Sequence, residues 1–238
     1  MKYLIFGAST GIGKALAEEL YQKGHDITLA SRRIHLLENI KQNLEGVPNI
    51  ISCDISQEEQ VKQTISYADK QMSGIDIIVI NAGVGMNEQI LKEELKVIET
   101  NVKGFTLAAR KAFDYFSNRN KGHVVGITSV ARFRGFYPSF AYSASKAYDH
   151  IYLEGLRHQA MRENLNIYIS EIMPGFIDTP ILKNKEELFW VASAQKAANL
   201  IIRAINRKAN KAFIPGKWWL PAFLLNWLPQ KFLVKILP

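Results

Sequence analysis

The sequence predicts an α/β chain, a doubly wound parallel sheet of about seven strands with helices on both faces. Three observations carry that expectation. Short runs of β-branched and aliphatic residues alternate with longer stretches of helical period, the pattern of repeated βαβ units. A glycine-rich loop follows the first such run and opens the first helical stretch. The 238 residues, 47% of them hydrophobic, suffice for one sizeable core.

Strands are expected at residues 3–6, 26–30, 50–53, 75–80, 123–128, 166–172 and 212–214. Helices are expected at 13–22, 57–72, 88–116, 142–163 and 192–207, where apolar residues recur at three- and four-residue spacing. Right-handed crossovers then distribute the helices over both faces. At the N-terminus one lysine precedes only four apolar residues before Gly7, which reads as a first strand and not as a leader peptide. No repeat or linker divides residues 1–216, and residues 217–238 form a hydrophobic, basic tail. The lone cysteine, Cys53, cannot make an intrachain disulfide, which fits a cytoplasmic protein.

The loop Gly7-Ala8-Ser9-Thr10-Gly11-Ile12-Gly13 lies where a Rossmann-type domain brings backbone amides and a helix N-terminus against a pyrophosphate. Its spacing is G-x-x-x-G-x-G. The second strand ends Leu29-Ala30-Ser31-Arg32-Arg33, with no acid to accept hydrogen bonds from the ribose hydroxyls of NAD. Two guanidiniums there suit the 2′-phosphate of NADP, although one of the pair can equally serve as a solvated cap of the next helix. NADPH is therefore the expected cofactor, and no metal site is expected.

Further along, Tyr142 and Lys146 stand four residues apart in an expected helix, hence on one face. A neighbouring ammonium favours phenolate over phenol, which suits general acid–base work. Ser129 lies just past the fifth expected strand, at the carboxyl end where open α/β sheets place their ligands.

With these residues in view, the chain resembles the short-chain dehydrogenase/reductase family over roughly residues 1–182. The resemblance is carried by Gly7–Gly13, Asp54, Asn81-Ala82-Gly83, Asn101, Ser129, Tyr142-x-x-x-Lys146 and Pro174-Gly175, in the family's order and approximate spacing. It implies that Tyr142 is the acid/base, that Ser129 steadies the substrate oxygen, and that Lys146 favours the phenolate and holds the nicotinamide ribose. Asn101 would keep a water in a proton relay. Asp54 and its neighbour Ile55 would meet the adenine, Asn81, Ala82 and Gly83 the adenosine ribose, and Pro174, Gly175, Ile177 and Thr179 the nicotinamide. It further implies a homodimer or homotetramer built on the two long helices. Two departures stand out: Phe6 replaces the usual threonine before the first glycine, and Ile80 the first asparagine of Asn-Asn-Ala-Gly. Both remove hydrogen-bonding groups from the adenosine side.

The substrate segments are rich in aromatic residues, with Phe133, Phe136, Tyr137 and Pro138 after Ser129 and Phe189 and Trp190 after Pro174-Gly175. They can wall a pocket for a lipophilic ketone or keto-acyl group, or they can pack the core or a subunit interface. Lys196, Arg203, Arg207, Lys208, Lys211, Lys217, Lys231 and Lys235 are the only charges after Glu187, and they account for the whole net charge of +8. Such one-sided charge suits an anionic partner or a solvated basic helix. No nucleic-acid reading motif accompanies it. In the tail, Trp218, Trp219, Phe223, Leu224, Leu225, Trp227 and Leu228 join these lysines, as in segments that lie on an anionic membrane. Pro221 and Pro229 are expected to break the tail into runs far short of the roughly 20 residues of a span. Packing over the active-site mouth or a partner subunit is the other reading of the tail. For the whole chain, a reductase or the corresponding alcohol dehydrogenase is expected, and a non-catalytic nucleotide sensor or membrane-surface interaction protein on the same fold is the alternative.

Overall fold

A computed structural model describes residues 1–238 except 46, 86–89, 183–185, 187, 230 and 232–238. Its strands β1 (Lys2–Phe6), β2 (Asp26–Ser31), β3 (Asn49–Ser52), β4 (Ile77–Ile80), β5 (Gly122–Ile127), β6 (Ile167–Pro174) and β9 (Lys211–Ile214) form one parallel sheet. The order is β3-β2-β1-β4-β5-β6-β9, so the winding reverses between β1 and β4. Each strand lies near its expected place.

Strand periodicity divides the core into two layers, because successive side chains point to opposite faces. Tyr3 and Ile5 of β1, with Ile77 and Val79 of β4, join the layer under α1 (Gly11–Gln22), α2 (Ile34–Asn43) and α7 (Ala194–Asn206). Leu4, Phe6, Ile78 and Ile80 join the opposite layer under α3 (Glu58–Met72), α5 (Phe105–Ser117) and α6 (Phe140–Arg162). Phe6 and Ile80, the two departures from the family pattern, are thus core residues. Both faces are covered, which is why β4 reads as an unbroken apolar run.

Several boundaries differ from the sequence expectation, each for a local reason. Helix α2 was not among the expected helices, because only Leu37 and Ile40 of its ten residues are buried and the periodic signal is weak. The long helix expected from residue 88 has its start outside the described residues. From Leu91 it runs as α4 (Leu91–Val97), a π-helical stretch Ile98–Gly104, and α5. Helix α7 begins at Ala194, after Ser193, whose Oγ accepts from the Lys196 amide at 3.2 Å and so caps the helix. Residues Ala192–Ser193 instead form β8, paired with β7 (Ile177–Asp178). In the tail, Trp219–Trp227 form α8 in spite of Pro221. That proline occupies the first turn, where its missing N–H costs no helical bond. Among the described residues no helix is long and apolar enough to cross a membrane.

One buried group ties the sheet to solution pH. His123 on β5 is buried, with Nε2 2.7 Å from Ser170 Oγ, and Ser170 gives its own proton to the Ala209 carbonyl at 2.6 Å. Ser170 must therefore accept, so Nε2 carries the hydrogen. Burial, with a smaller contribution from Lys208, lowers His123 from 6.5 to about 4. Between those values the unfolded chain binds a proton that the native site refuses. Stability is thus full above pH 6.5 and falls by about 3 kcal/mol as pH drops through the window. Urea unfolding at stepwise pH will show this slope in the native chain, and His123→Gln, which keeps a donor for Ser170, will flatten it.

Candidate active site

At the carboxyl ends of β1 and β4 the chain leaves a crevice of about 490 Å³. The glycine loop forms one wall under tight steric terms. Gly7 has φ +82°, and a Cβ there would sit 2.5 Å from Ala82 Cα. A Cβ on Gly13 would sit 2.2 Å from the Gly7 carbonyl oxygen, which accepts from Asn81 Nδ2 at 2.8 Å. Loop and Asn81-Ala82-Gly83 segment interlock, and α1 starts at the crevice.

Gly7, Ser9, Thr10, Gly11, Ile12, Arg32, Arg33, Ile55, Asn81, Ala82, Gly83 and Thr179 all line the crevice. Thr10 is the N-cap of α1, but its side chain does not cap the helix. The Arg33 guanidinium instead donates to Ser9 Oγ at 2.9 Å and Thr10 Oγ1 at 3.1 Å, while Arg32 is exposed at the rim. Uncapped first-turn amides, a cradle that a Cβ would fill and two guanidiniums fit a dinucleotide diphosphate. Lys96 and Thr100 also line this space, and the sequence reading had not marked them.

Other expected cofactor residues stand beside the crevice without lining it. Asp54 Oδ1 accepts from the Ser56 amide at 3.0 Å and Ser56 Oγ at 2.9 Å, so this carboxylate braces the turn into α3. Pro174 ends β6, and Ile177 is buried in the short β7–β8 pair. Gly175 lies under the Trp218 indole, with 2.1 Å between a Cβ placed there and the ring.

Of the four expected catalytic residues, Asn101 and Lys146 lie against Gly83. Asn101 occupies the π-helical stretch, a deviation often found at functional sites. It is fully buried, accepts from the Val84 amide at 2.8 Å, and donates to the Val84 carbonyl at 2.9 Å and Ser145 Oγ at 3.1 Å. Ser145 donates in turn to the Tyr142 carbonyl at 2.7 Å, tying the π-helix to the start of α6. Lys146, one turn beyond half-buried Tyr142, places Nζ 5.8 Å from the phenol ring centroid. A Cβ on Gly83 would lie 3.7 Å from that Nζ, which sets the ammonium against the crevice wall. Ser129 follows β5, and its Oγ accepts from the Ala131 amide at 3.1 Å. Its hydroxyl has only a weak 3.5 Å contact to the Pro174 carbonyl, so the proton is free to turn toward a ligand.

The aromatic residues divide into two groups. Phe133 stacks on Phe213 and carries the Arg132 guanidinium over its ring, which is packing at the sheet end. Phe189 and Trp190 meet Phe176 and Trp218 in one cluster beside Gly175. Trp218, grouped with the membrane-facing aromatics on sequence, is only 3% exposed and belongs to this inner cluster. The signal that could have shown it is Gly175 itself, a glycine that needs a flat partner.

Comparison with known proteins agrees with this geometry. A family model described as short chain dehydrogenase matches residues 2–188. An uncharacterized oxidoreductase of Mycobacterium tuberculosis is 29% identical over 238 aligned positions, covering 95% of this chain and 93% of the relative. A farnesol dehydrogenase of Aedes aegypti is 33% identical over 194 positions, covering 75% and 78%. Among solved structures, a closed form of serine dehydrogenase complexed with NADP+ superposes with TM-score 0.82 at 20% identity, covering 90% of this chain and 94% of that one. The fold and site thus define a dinucleotide-dependent oxidoreductase. The chain belongs to the short-chain dehydrogenase/reductase family and is an NAD(P)-dependent enzyme of that family.

Proposed function

We propose that this enzyme is an NADPH-dependent reductase of a lipophilic ketone or keto-acyl compound, able to run the reverse oxidation, with Tyr142 as its acid. The observation that carries the reading is the placement of Asn101 and Lys146 against Gly83 of the glycine-cradled crevice, with the Tyr142 ring beside Lys146. The nicotinamide, when bound, supplies the hydride. Tyr142 then donates the proton that the substrate oxygen needs, and the free Ser129 hydroxyl donates a hydrogen bond to that oxygen. Lys146 keeps positive charge beside the phenol and offers a donor toward the crevice at Gly83. The amide of Asn101 is spent on Val84 and Ser145, so its part is to hold α6 in place, with the second lone pair of Oδ1 left for a relay water.

NADPH over NADH is supported by Arg32 and Arg33 at the end of β2, where Ser31 stands and no acid does. A lipophilic substrate is supported by the Phe176, Phe189, Trp190 and Trp218 cluster beside Gly175 and by the name of the Aedes aegypti relative, farnesol dehydrogenase. Exposed Ile98, Tyr148 and Ile151 on the helices that the family pairs support a homodimer or homotetramer. On α8 the exposed side chains are Trp219, Leu220, Phe223, Leu224 and Trp227, one helical face, while Ala222 and the preceding Trp218 are buried. An outward apolar face flanked by Lys217 and Lys231 supports a peripheral contact with anionic membrane on the cytoplasmic side.

Three measurements check this reading. Supplied with apolar ketones and keto-acyl thioesters, the purified enzyme will consume NADPH, and Tyr142→Phe will lower turnover by about two orders of magnitude or more; retention of turnover would remove Tyr142 as the acid. Arg32→Asp will weaken NADPH binding by about tenfold to a hundredfold and leave NADH nearly unchanged, whereas equal losses would remove the phosphate assignment. In flotation with anionic phosphatidylserine vesicles the full chain will rise with lipid, and a Trp219→Ser, Phe223→Ser, Trp227→Ser variant, which spares buried Trp218, will stay behind.

A further inference from the structure

One turn beyond Lys146, α6 carries a buried acid that the chemistry above does not use. Asp149 is 0% exposed and sits one turn after Lys146, with Oδ2 2.9 Å from Nζ. Lys146 is itself only 4% exposed, and its other protein partner is the Ile127 carbonyl at 3.3 Å. Among the described residues Asp149 is the one carboxylate within ion-pair distance of this ammonium. Asn101 has no charge to offer, and the face of the Tyr142 ring stands 5.8 Å away.

An ammonium at this depth has lost most of its hydration, and a buried lysine without a counter-ion sheds its proton. Each ammonium has three N–H donors. Two point into the protein, to Asp149 and Ile127, leaving one for the crevice side where Gly83 stands. We propose that Asp149 is a positioning residue that keeps Lys146 charged and directs its third donor toward the bound dinucleotide. The inference rests on the reductase reading for its purpose but not for its geometry.

The surroundings make this support sensitive to pH. Asp149 Oδ1 is buried with no hydrogen-bond partner among the described residues. Glu171 approaches from β6 and is itself held by Arg132 at 3.1 Å, Thr128 at 3.1 Å and His150 at 2.8 Å. Burial pushes Asp149 up to about 6 against the pull of Lys146, and the charge of Glu171 adds to the push. For Lys146, burial opposes the ammonium, but Asp149 and then Tyr142 more than offset it and hold it above the usual lysine value. Both values are raised: for the acid because burial outweighs the attraction of Lys146, and for the ammonium because the attraction of Asp149 and Tyr142 outweighs burial.

The test is an NMR titration of the full chain labelled with 13C at lysine Cε and aspartate Cγ, with no substrate present. Its outcome is therefore independent of the turnover assay. The Lys146 resonance is assigned by its loss in Lys146→Arg. In the native chain it will titrate above the ordinary lysine value and show a second inflection near pH 6 that tracks Asp149. Asp149→Asn will raise the acid constant of Lys146 by at least about thirtyfold, and Asp149→Glu will restore part of the shift. A Lys146 midpoint within about threefold of native in Asp149→Asn would overturn the proposal. If Asp149→Asn does not fold, Asp149→Ser, a smaller uncharged side chain at the same position, is titrated in its place and judged by the same threefold limit.

Discussion

The closeness of β1 and β4 at their carboxyl ends governs the rest of the molecule. Asn81 reaches back to the Gly7 carbonyl, and the backbone of Ala82 comes so near Gly7 that no Cβ fits between them. Successive crossovers leave this point in opposite directions, toward β2 and β3 on one side and β5, β6 and β9 on the other. A crevice at the reversal follows from topology, and its shape follows from the missing Cβ atoms. The first turn of α1 then meets the crevice with its amides uncapped, because Ser9 and Thr10 give their hydroxyl oxygens to Arg33 instead of to the helix.

The second constraint is polar and lies on α6. Ser143, Ser145, Lys146 and Asp149 are buried on the inward side of its first half, where a helix of this length would ordinarily present aliphatic residues. Each buried polar group costs stability unless it is paired, and apart from Ser143 Oγ, which has no partner among the described residues, this half is held by specific bonds: Ser145 to Tyr142 and Asn101, and Lys146 to Ile127 and Asp149. Toward its end α6 returns to apolar packing through Leu153, Leu156 and Ala160. One helix thus joins a rigid hydrophobic anchor to an electrostatic site. The positions of Tyr142 and Lys146 are fixed by packing formed well away from them.

What the sequence made legible follows from these two constraints. The strands were readable because both faces of the sheet are covered and the runs are nearly pure aliphatic. The glycine loop was readable because steric exclusion leaves one residue type. Helix α2 was obscure because it buries two side chains, and the π-helical stretch was obscure because Ile98–Gly104 keeps an ordinary helical pattern while its hydrogen bonds widen around Asn101. Asp149 and Trp218 escaped for a different reason. An acid in a helix reads as solvent-facing and a tryptophan among prolines and lysines reads as interfacial, and only tertiary contacts with Lys146 and Gly175 reverse those defaults.

The tail shows how a local rule can hold while its expected consequence fails. A proline disrupts a helix only from its second turn onward, and Pro221 stands in the first, so α8 forms through it. Its far end is stabilised from outside: Arg134, in the segment after Ser129, donates to the Leu225 carbonyl at 2.7 Å and also to the Leu228 carbonyl. A guanidinium at a helix C-terminus satisfies orphan carbonyls and complements the dipole. The same arginine therefore joins the segment after Ser129 to the tail, while Trp218 joins the tail to Gly175. With both anchors made inward, the aromatic face of α8, including Trp227 at 74% exposure, has nowhere to turn but outward. That face is thereby connected, through Trp218 and Arg134, to Gly175 and to the segment after Ser129.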